Sequence, residues 1–297
     1  MNIVIWMQSE TGGGEYILPA IHNLIRLYGT VNIIGGIPLA GSRINGIRNI
    51  SKQDLQSLDF DLIVASVKDV SVLFTNAQSA FVSILKEAAA LGIDTNKIVL
   101  DRVICIPNFT LEKYRRLRNS ALSVFSKDCF GGWTYHRFGL PFLSPTINMF
   151  TSEKDFIKFL QNPMENVKAE VVFQKMHDDG YPVFKIGGIE WHMNHYRDVN
   201  VAFKKWYERS FRINWFNLFV VMSTENPEIL AEFDKLPFAK KVCFVPFETD
   251  LDSGFYIDAS RYSEKNFARL THLMVLGEFI YYDLWDMLLY GKKTLLI

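Results

Sequence analysis

The sequence predicts an α/β protein built from two α/β domains, the first a small Rossmann-like module with a parallel sheet. Three observations carry this. Short, nearly all-apolar runs alternate with segments of helical periodicity, as in sheets buried on both faces. The chain of 297 residues exceeds one average domain. The alternation is broken at Ile106-Pro107-Asn108, which sets domains of 1–108 and 109–297.

The first half gives its elements in order. Asn2 to Met7 (NIVIWM) reads as a central strand. A loop with Gly12-Gly13-Gly14 follows, then a helix from Tyr16 to Tyr28, with Pro19 tolerable in its first turn. Val31 to Ile34 and Asp61 to Ser66 read as further strands. Ala77, Phe81, Leu85, Ala88 and Leu91 mark a helix, with Gly92 placed to end it. Lys97 to Leu100 begins a fourth strand. After the break, Thr110 caps a helix over Leu111–Asn119, whose Lys113, Arg115, Arg116 and Arg118 read as a solvated face.

This module lacks the dinucleotide fingerprint. Gln8 and Glu10 stand where glycines are wanted after the first strand, and Gly35-Gly36 occupies the place of the ribose-binding carboxylate. NAD and FAD are therefore not expected as cofactors, and no other cofactor is indicated. The triple glycine reads as a permissive turn.

Composition excludes several classes. With 49% hydrophobic and 14% aromatic residues the chain can bury large cores, and its net charge of +0 gives no footprint for nucleic acid. Three cysteines, Cys105, Cys129 and Cys243, form no closed disulfide framework. They point to a reducing compartment, and with no signal peptide or integral membrane segment legible, to the cytoplasm.

The second half contains the stretch richest in chemistry, residues 129–150, CFGGWTYHRFGLPFLSPTINMF. The strand ending at Phe125 turns through Cys129-Phe130-Gly131-Gly132 into a short helix over Trp133–Phe138. That geometry places backbone N–H groups and a positive dipole end around the turn. A thiol (Cys129), a phenol (Tyr135), a histidine (His136) and the polar Ser144, Thr146 and Asn148 lie within it. Further on come a helix opened by Ser152, a strand at Glu170–Phe173, and a hairpin through Gly187-Gly188 to His192. Asp198 caps a helix burying Val199, Ala202, Phe203 and Trp206, with Lys204, Lys205, Glu208 and Arg209 mostly on its outer side. Strands at Leu218–Met222 and Lys241–Val245 precede a packed helix pair between Asn266 and Leu289.

Three segments carry a resemblance over roughly residues 120–245. They are the 129–150 stretch, then IEWHMNHYRDVNVAFKKWYERSFRINWFNLFVVM, then FDKLPFAKKVCF. They resemble a family of bacterial proteins of uncharacterised mechanism labelled exopolysaccharide biosynthesis proteins, and the first half resembles the small Rossmann-like modules of sugar-transfer proteins. The resemblance implies a setting of cell-surface polysaccharide assembly. The matching polar positions are Cys129, Tyr135, Ser144, Thr146, Asn148, His192, His195, Tyr196, Arg212, Asn214 and Asn217. This chain departs from the pattern at Lys127-Asp128, where relatives carry asparagine before the cysteine, and at Gly188, where they often carry an acid.

Two functions follow as expectations. In one, the protein is a transferase acting on a sugar or nucleotide-sugar. Cys129, His192 and His195 would form the catalytic set, with one histidine as base, and Tyr135, His136, Ser144, Thr146, Asn148, Tyr196, Arg212 and Asn214 would contact substrate. In the other, it is a non-catalytic carbohydrate or nucleotide-sugar binding protein assisting polysaccharide-assembly proteins. Cys129 is either a thiolate favoured by a helix N-terminus or a packed apolar residue. His192 and His195, three apart, point to opposite faces of an ideal strand and converge only if the strand ends between them. Two histidines without a third ligand do not make a zinc site, so no metal is expected. The loops after the strands are expected to bring Cys129, Tyr135 and His192 or His195 to one pocket.

Overall fold

The structure, a computed structural model, describes residues 1–8, 16–39, 43–44, 46–67, 77–277 and 281–296. Gly12-Gly13-Gly14 and Glu10 lie outside the described residues. The fold is α/β with parallel sheets, in two compact units. The first comprises Met1–Arg115 and Tyr135–Pro141, the second Arg116–Thr134 and Phe142–Ile297.

In the first unit β1 (Asn2–Met7), α1 (Ile17–Tyr28), β2 (Asn32–Ile37), β3 (Leu62–Ser66), α2 (Ala77–Ala90), β4 (Ile98–Leu100), α3 (Asp101–Ile104) and most of α4 (Leu111–Asn119) follow in order. All strand pairs are parallel, in the order β2-β1-β3-β4, which fits a Rossmann-like module. Ile3, Val4 and Ile5 are wholly buried, as a central strand covered on both faces requires. The second strand runs on through Gly35 and Gly36 to Ile37, past the point where the apolar run ends. The glycines are there for packing. A Cβ on Gly36 would stand 2.6 Å from Ile44 Cδ1, and one on Gly35 would stand 2.9 Å from the Ile50 side chain.

The second unit contains β5 (Ser123–Ser126), α5 (Phe130–Phe138), α6 (Glu153–Gln161), α7 (Pro163–Lys168), β6 (Val171–Met176), β7 (Pro182–Ile186), β8 (Ile189–His192), α8 (Val199–Ser210), β9 (Leu218–Ser223), α9 (Pro227–Asp234), β10 (Lys241–Val245), β11 (Gly254–Tyr256), α10 (Phe267–Leu276) and α11 (Leu284–Tyr290). The last turn of α5 belongs to the first unit. The main sheet is parallel, in the order β11-β10-β9-β5. Between β5 and β9 the chain inserts an antiparallel sheet, β6-β7-β8. Its hairpin turn is Gly187-Gly188, with φ of 60° and 80°, the pair of positive values a type I′ turn demands.

Strand alternation sorts the core. Phe125, Val220, Met222, Cys243 and Val245 join Phe156 and Phe159 of α6, Trp206 of α8 and Leu230 of α9 in one apolar cluster with Trp191 of β8. Trp191 packs edge-on against Phe159 at 5.4 Å and tilted against Trp206 at 5.7 Å, so these tryptophans are core. On the other face Phe244 meets Phe130 of α5 at 5.6 Å and Tyr282 at 5.3 Å. Burying each such ring stabilises by about 1.5–3 kcal/mol. The consequence for function is positional. A well-packed sheet holds the C-terminal ends of β5 and β9 side by side, Ser126 paired next to Val221.

Candidate functional site at the carboxyl ends of the strands

Beyond Ser126, the residues Lys127, Asp128 and Cys129 each take a different partner. Lys127 Nζ donates to the Ser223 carbonyl at 3.0 Å and lies 3.7 Å from Glu153 Oε1. It lines a cleft of about 390 Å³ together with Glu153, Ser223, Thr224, Glu225 and Asn226. Asn266, Phe267 and Ala268, at the start of α10, complete the wall. Asn226 caps α9 by accepting from Glu228 N–H, and Asn266 caps α10 by accepting from Arg269 N–H. Two helix N-termini and an ammonium thus face a cleft that also carries two carboxylates.

Asp128 fastens α10 to β5. His272 Nε2 donates to Asp128 Oδ1 at 2.8 Å, and Phe130 N–H donates to the same oxygen at 3.1 Å. Burial alone would raise this carboxyl, but the His272 charge and hydrogen bond, Lys127 and the Phe130 N–H outweigh it and hold it at about 2. By accepting from the Phe130 N–H the carboxylate also caps the start of α5.

Cys129 Sγ stands 3.3 Å from His195 Nε2. The Asn194 side-chain amide is also hydrogen-bonded to the sulfur. Burial, reinforced by the Asp128 charge, pushes the thiol up to about 12. Burial, then Arg197, push the His195 imidazolium down. A protonated thiol beside a neutral imidazole fixes the bond: Sγ–H donates and Nε2 accepts. The helix N-terminus beside Cys129 does not produce a thiolate. Two amide oxygens, Asn194 Oδ1 and Asn148 Oδ1, the latter beside Gly132, are buried without a hydrogen-bond partner.

Gly131 and Gly132 form the first turn of α5 rather than a loop before it. Gly131 N–H donates to Ser126 Oγ at 3.0 Å, so it is engaged and does not point into an open oxyanion site. A Cβ on Gly131 would come within 2.8 Å of Ser126 Oγ, and one on Gly132 within 3.0 Å of Asn148 Oδ1. Asn148 sits at φ 63°, in the left-handed region that asparagine tolerates.

Residues 101–290 match the family described as a domain of unknown function, DUF1919. The chain belongs to the DUF1919 family. It is also 32% identical over 190 residues to a protein of Haemophilus influenzae called an uncharacterized protein, covering 60% of this chain and 87% of that one. The DUF1919 segment therefore holds Cys129, His195, Asp128, His272 and every residue of the cleft.

Seven other sequence-chosen positions of the DUF1919 segment fall into four groups. His192 ends β8 and turns away from Cys129: its Nε2 lies 3.0 Å from Glu190 Oε1, its Nδ1 3.3 Å from Tyr181 Oη, and its ring stacks on Phe150 at 4.6 Å. The strand does end between the two histidines, yet only His195 reaches the cysteine. Ser144 and Thr146 are buried and bond each other at 3.1 Å, with Thr146 Oγ1 accepting from Ser126 N–H at 3.2 Å. They brace the β5 end. Tyr135 and His136 fall in the part of α5 that belongs to the first unit. Arg212 and Asn214 lie at the opposite end of the sheet, before β9: Arg212 pairs with Glu208 at 3.7 Å, and Asn214 Nδ2 donates to Ala121 O at 3.1 Å.

Arg209 departs from its expected place on the outer side of α8. It is buried, and its Nη1 donates to Ile147 O at 3.0 Å and to Tyr196 Oη at 2.7 Å. Tyr196 is thereby a support for the 147–148 turn. Sequence reasoning also passed over Lys127, Glu153, Thr224, Asn226, Asn266 and His272. The signal was present in part, since Ser-Thr-Glu-Asn-Pro directly after an apolar strand is a strand end followed by a helix cap.

Proposed function

We propose that the second unit binds a sugar-bearing ligand, free or nucleotide-linked, in the cleft beyond β5 and β9, and transfers the sugar during cell-surface polysaccharide assembly. The lining of the cleft carries this reading. Glu153 and Glu225 accept hydrogen bonds, Lys127 donates, and Ser223, Thr224, Asn226 and Asn266 do both. Such mixed lining, seated where parallel strands end, suits a polyhydroxylated ligand better than an apolar one. Lys127 and the starts of α9 and α10 favour the negative charge of a departing phosphate.

In the transfer step, an acceptor hydroxyl oxygen bonds to the anomeric carbon while that carbon's bond to the leaving phosphate oxygen breaks, its electron pair departing on phosphate. Cys129 follows the cleft residue Lys127 by two positions, and on this reading the acceptor reaches from the cleft to the Cys129–His195 pair, so that its hydroxyl proton goes to the neutral His195 Nε2 once that nitrogen releases the thiol. Cys129 is then a positioning residue that holds the ring until substrate arrives. On this reading the protein works in the cytoplasm, beside the assembly proteins that consume its product.

A second reading, a non-catalytic sugar or nucleotide-sugar binding protein, is favoured by one observation: the base is already occupied by a thiol held up at about 12. A thermal-shift panel of nucleotide sugars and polysaccharide fragments, followed by turnover assays, tests both. Transfer requires that His195→Gln keeps ligand-induced stabilisation and loses turnover. Stabilisation without turnover in the wild-type chain selects the binding reading, and stabilisation by none of the panel overturns both.

A further inference from the structure

The end of the second unit opposite the cleft carries its own pattern. β5, β9 and β10 begin there, and side chains tie their leading loops together. Asn217 Nδ2 donates to Ser120 O at 2.8 Å, Lys240 Nζ to Asn217 Oδ1, and Lys240 Nζ to Leu288 O at 3.5 Å. Arg116 Nη1 donates to Tyr290 Oη at 3.1 Å, with its guanidinium 5.0 Å from that ring and Lys292 Nζ 5.6 Å from it. From this braced surface two phenylalanines project: Phe211 is 89% exposed and Phe216 102%. Between them Trp215 packs against the core, so the loop that presents Phe216 is anchored. The segments that meet there carry exposed cations in Arg116, Arg212 and Lys292, while Lys240 is half-buried against its two acceptors. Glu208 is a nearby carboxylate, set among Lys204, Lys205 and Arg212, and Asp286 accepts from Thr294 Oγ1 at 3.0 Å.

We propose that this end of the unit is a membrane-surface contact, in which Phe211 and Phe216 enter the headgroup boundary of an anionic bilayer while the arginines and lysines lie against its phosphates. Single rings that stand clear of their neighbours cost free energy in water and fit between lipid headgroups. A protein interface would instead present a contiguous, desolvated patch. Charge complementarity decides the occupant: basic side chains beside exposed aromatic rings match anionic lipid. Among the described residues no helix is long and apolar enough to cross a membrane, so the contact is peripheral. The neutral total charge is no obstacle, because binding of this kind depends on charge within a Debye length of the surface.

The test is flotation of the full chain with vesicles of phosphatidylcholine alone and of phosphatidylcholine with 40 mol% phosphatidylglycerol, about 0.1 M against about 0.5 M NaCl. The chain should float with the anionic vesicles only and be released by high salt. Phe211→Ser/Phe216→Ser should bind at least about tenfold more weakly with an unchanged melting temperature. Arg116→Gln, Arg212→Gln and Lys292→Gln should each weaken binding about fivefold. Failure of the wild-type chain to float, or flotation equal in the double phenylalanine variant, overturns the proposal. So does self-association in sedimentation velocity that the double variant abolishes without any vesicle binding, since the rings would then contact protein. The single variants Phe211→Ser and Phe216→Ser keep the test decisive if the double variant misfolds.

Discussion

Cys129 donates its thiol proton to His195 across 3.3 Å, and neither partner is charged. A thiol and an imidazole at this distance can exist as an ion pair, as in cysteine hydrolases, where a positive environment favours the thiolate. Here burial and the neighbouring Asp128 carboxylate oppose the thiolate, and burial opposes the imidazolium. The pair is therefore poised for a base that works by neutral nitrogen.

Alkylation should report this directly. A thiol held at about 12 has a thiolate fraction at neutral pH about a thousandfold below that of a free cysteine. Mass spectrometry of iodoacetamide-treated native chain should show Cys129 modified at least about tenfold more slowly than in the urea-unfolded chain. His195→Ala should not speed it, because the histidine is not what ionises the sulfur.

Acid should weaken the second unit through Asp128. Its folded pKa of about 2 lies below the ordinary 3.8, so the unfolded chain binds the proton first. The stabilisation is fully present above about pH 4 and is lost as pH falls through about 2, amounting to about 2 kcal/mol. Urea unfolding followed across that range should show the loss, and Asp128→Asn should remove most of it. His195 acts in the same direction, since its lowered pKa means that acid drives a proton onto a buried ring. A pH–rate profile limited by His195 should accordingly rise to a plateau from an apparent pKa below 6.5.

Glycine to alanine inside a helix ordinarily stabilises by about 1 kcal/mol. Gly131→Ala should do the reverse, because the new Cβ would meet Ser126 Oγ at 2.8 Å and displace the acceptor of its own N–H. A loss of about 1–3 kcal/mol is expected. Adding Ser126→Ala should recover part of it, as thermal unfolding of the single and double variants would show.

Most of the architecture was legible because apolar runs dictate it. NIVIWM and DLIVAS are β1 and β3, the 199–210 periodicity is α8, and Gly187-Gly188 is a hairpin turn. What escaped was decided by tertiary contact. Arg209 looks solvated by its neighbours in sequence, yet the turn at Ile147 and the Tyr196 hydroxyl draw it inward. Gly131-Gly132 looks like a loop, yet Ser126 and Asn148 fill the space a Cβ would need and leave the helix intact. At the site, the pairing of Cys129 with a histidine was legible because both follow strands. Which histidine was not, since the β8 register and the Phe150 stack decide it. His272 stands 144 positions from Asp128, and no local pattern links them.

Whether the cleft holds a sugar-bearing ligand is read by isothermal titration of the chain against the nucleotide sugar that most raises its melting temperature. Ala268→Trp places a large ring into the cleft wall beside Lys127 and Asn226 without touching Cys129 or His195. Saturable one-to-one binding by the wild-type chain is expected, with affinity at least about tenfold weaker in Ala268→Trp and unchanged in His195→Gln. Equal binding by wild type and Ala268→Trp would contradict binding in the cleft.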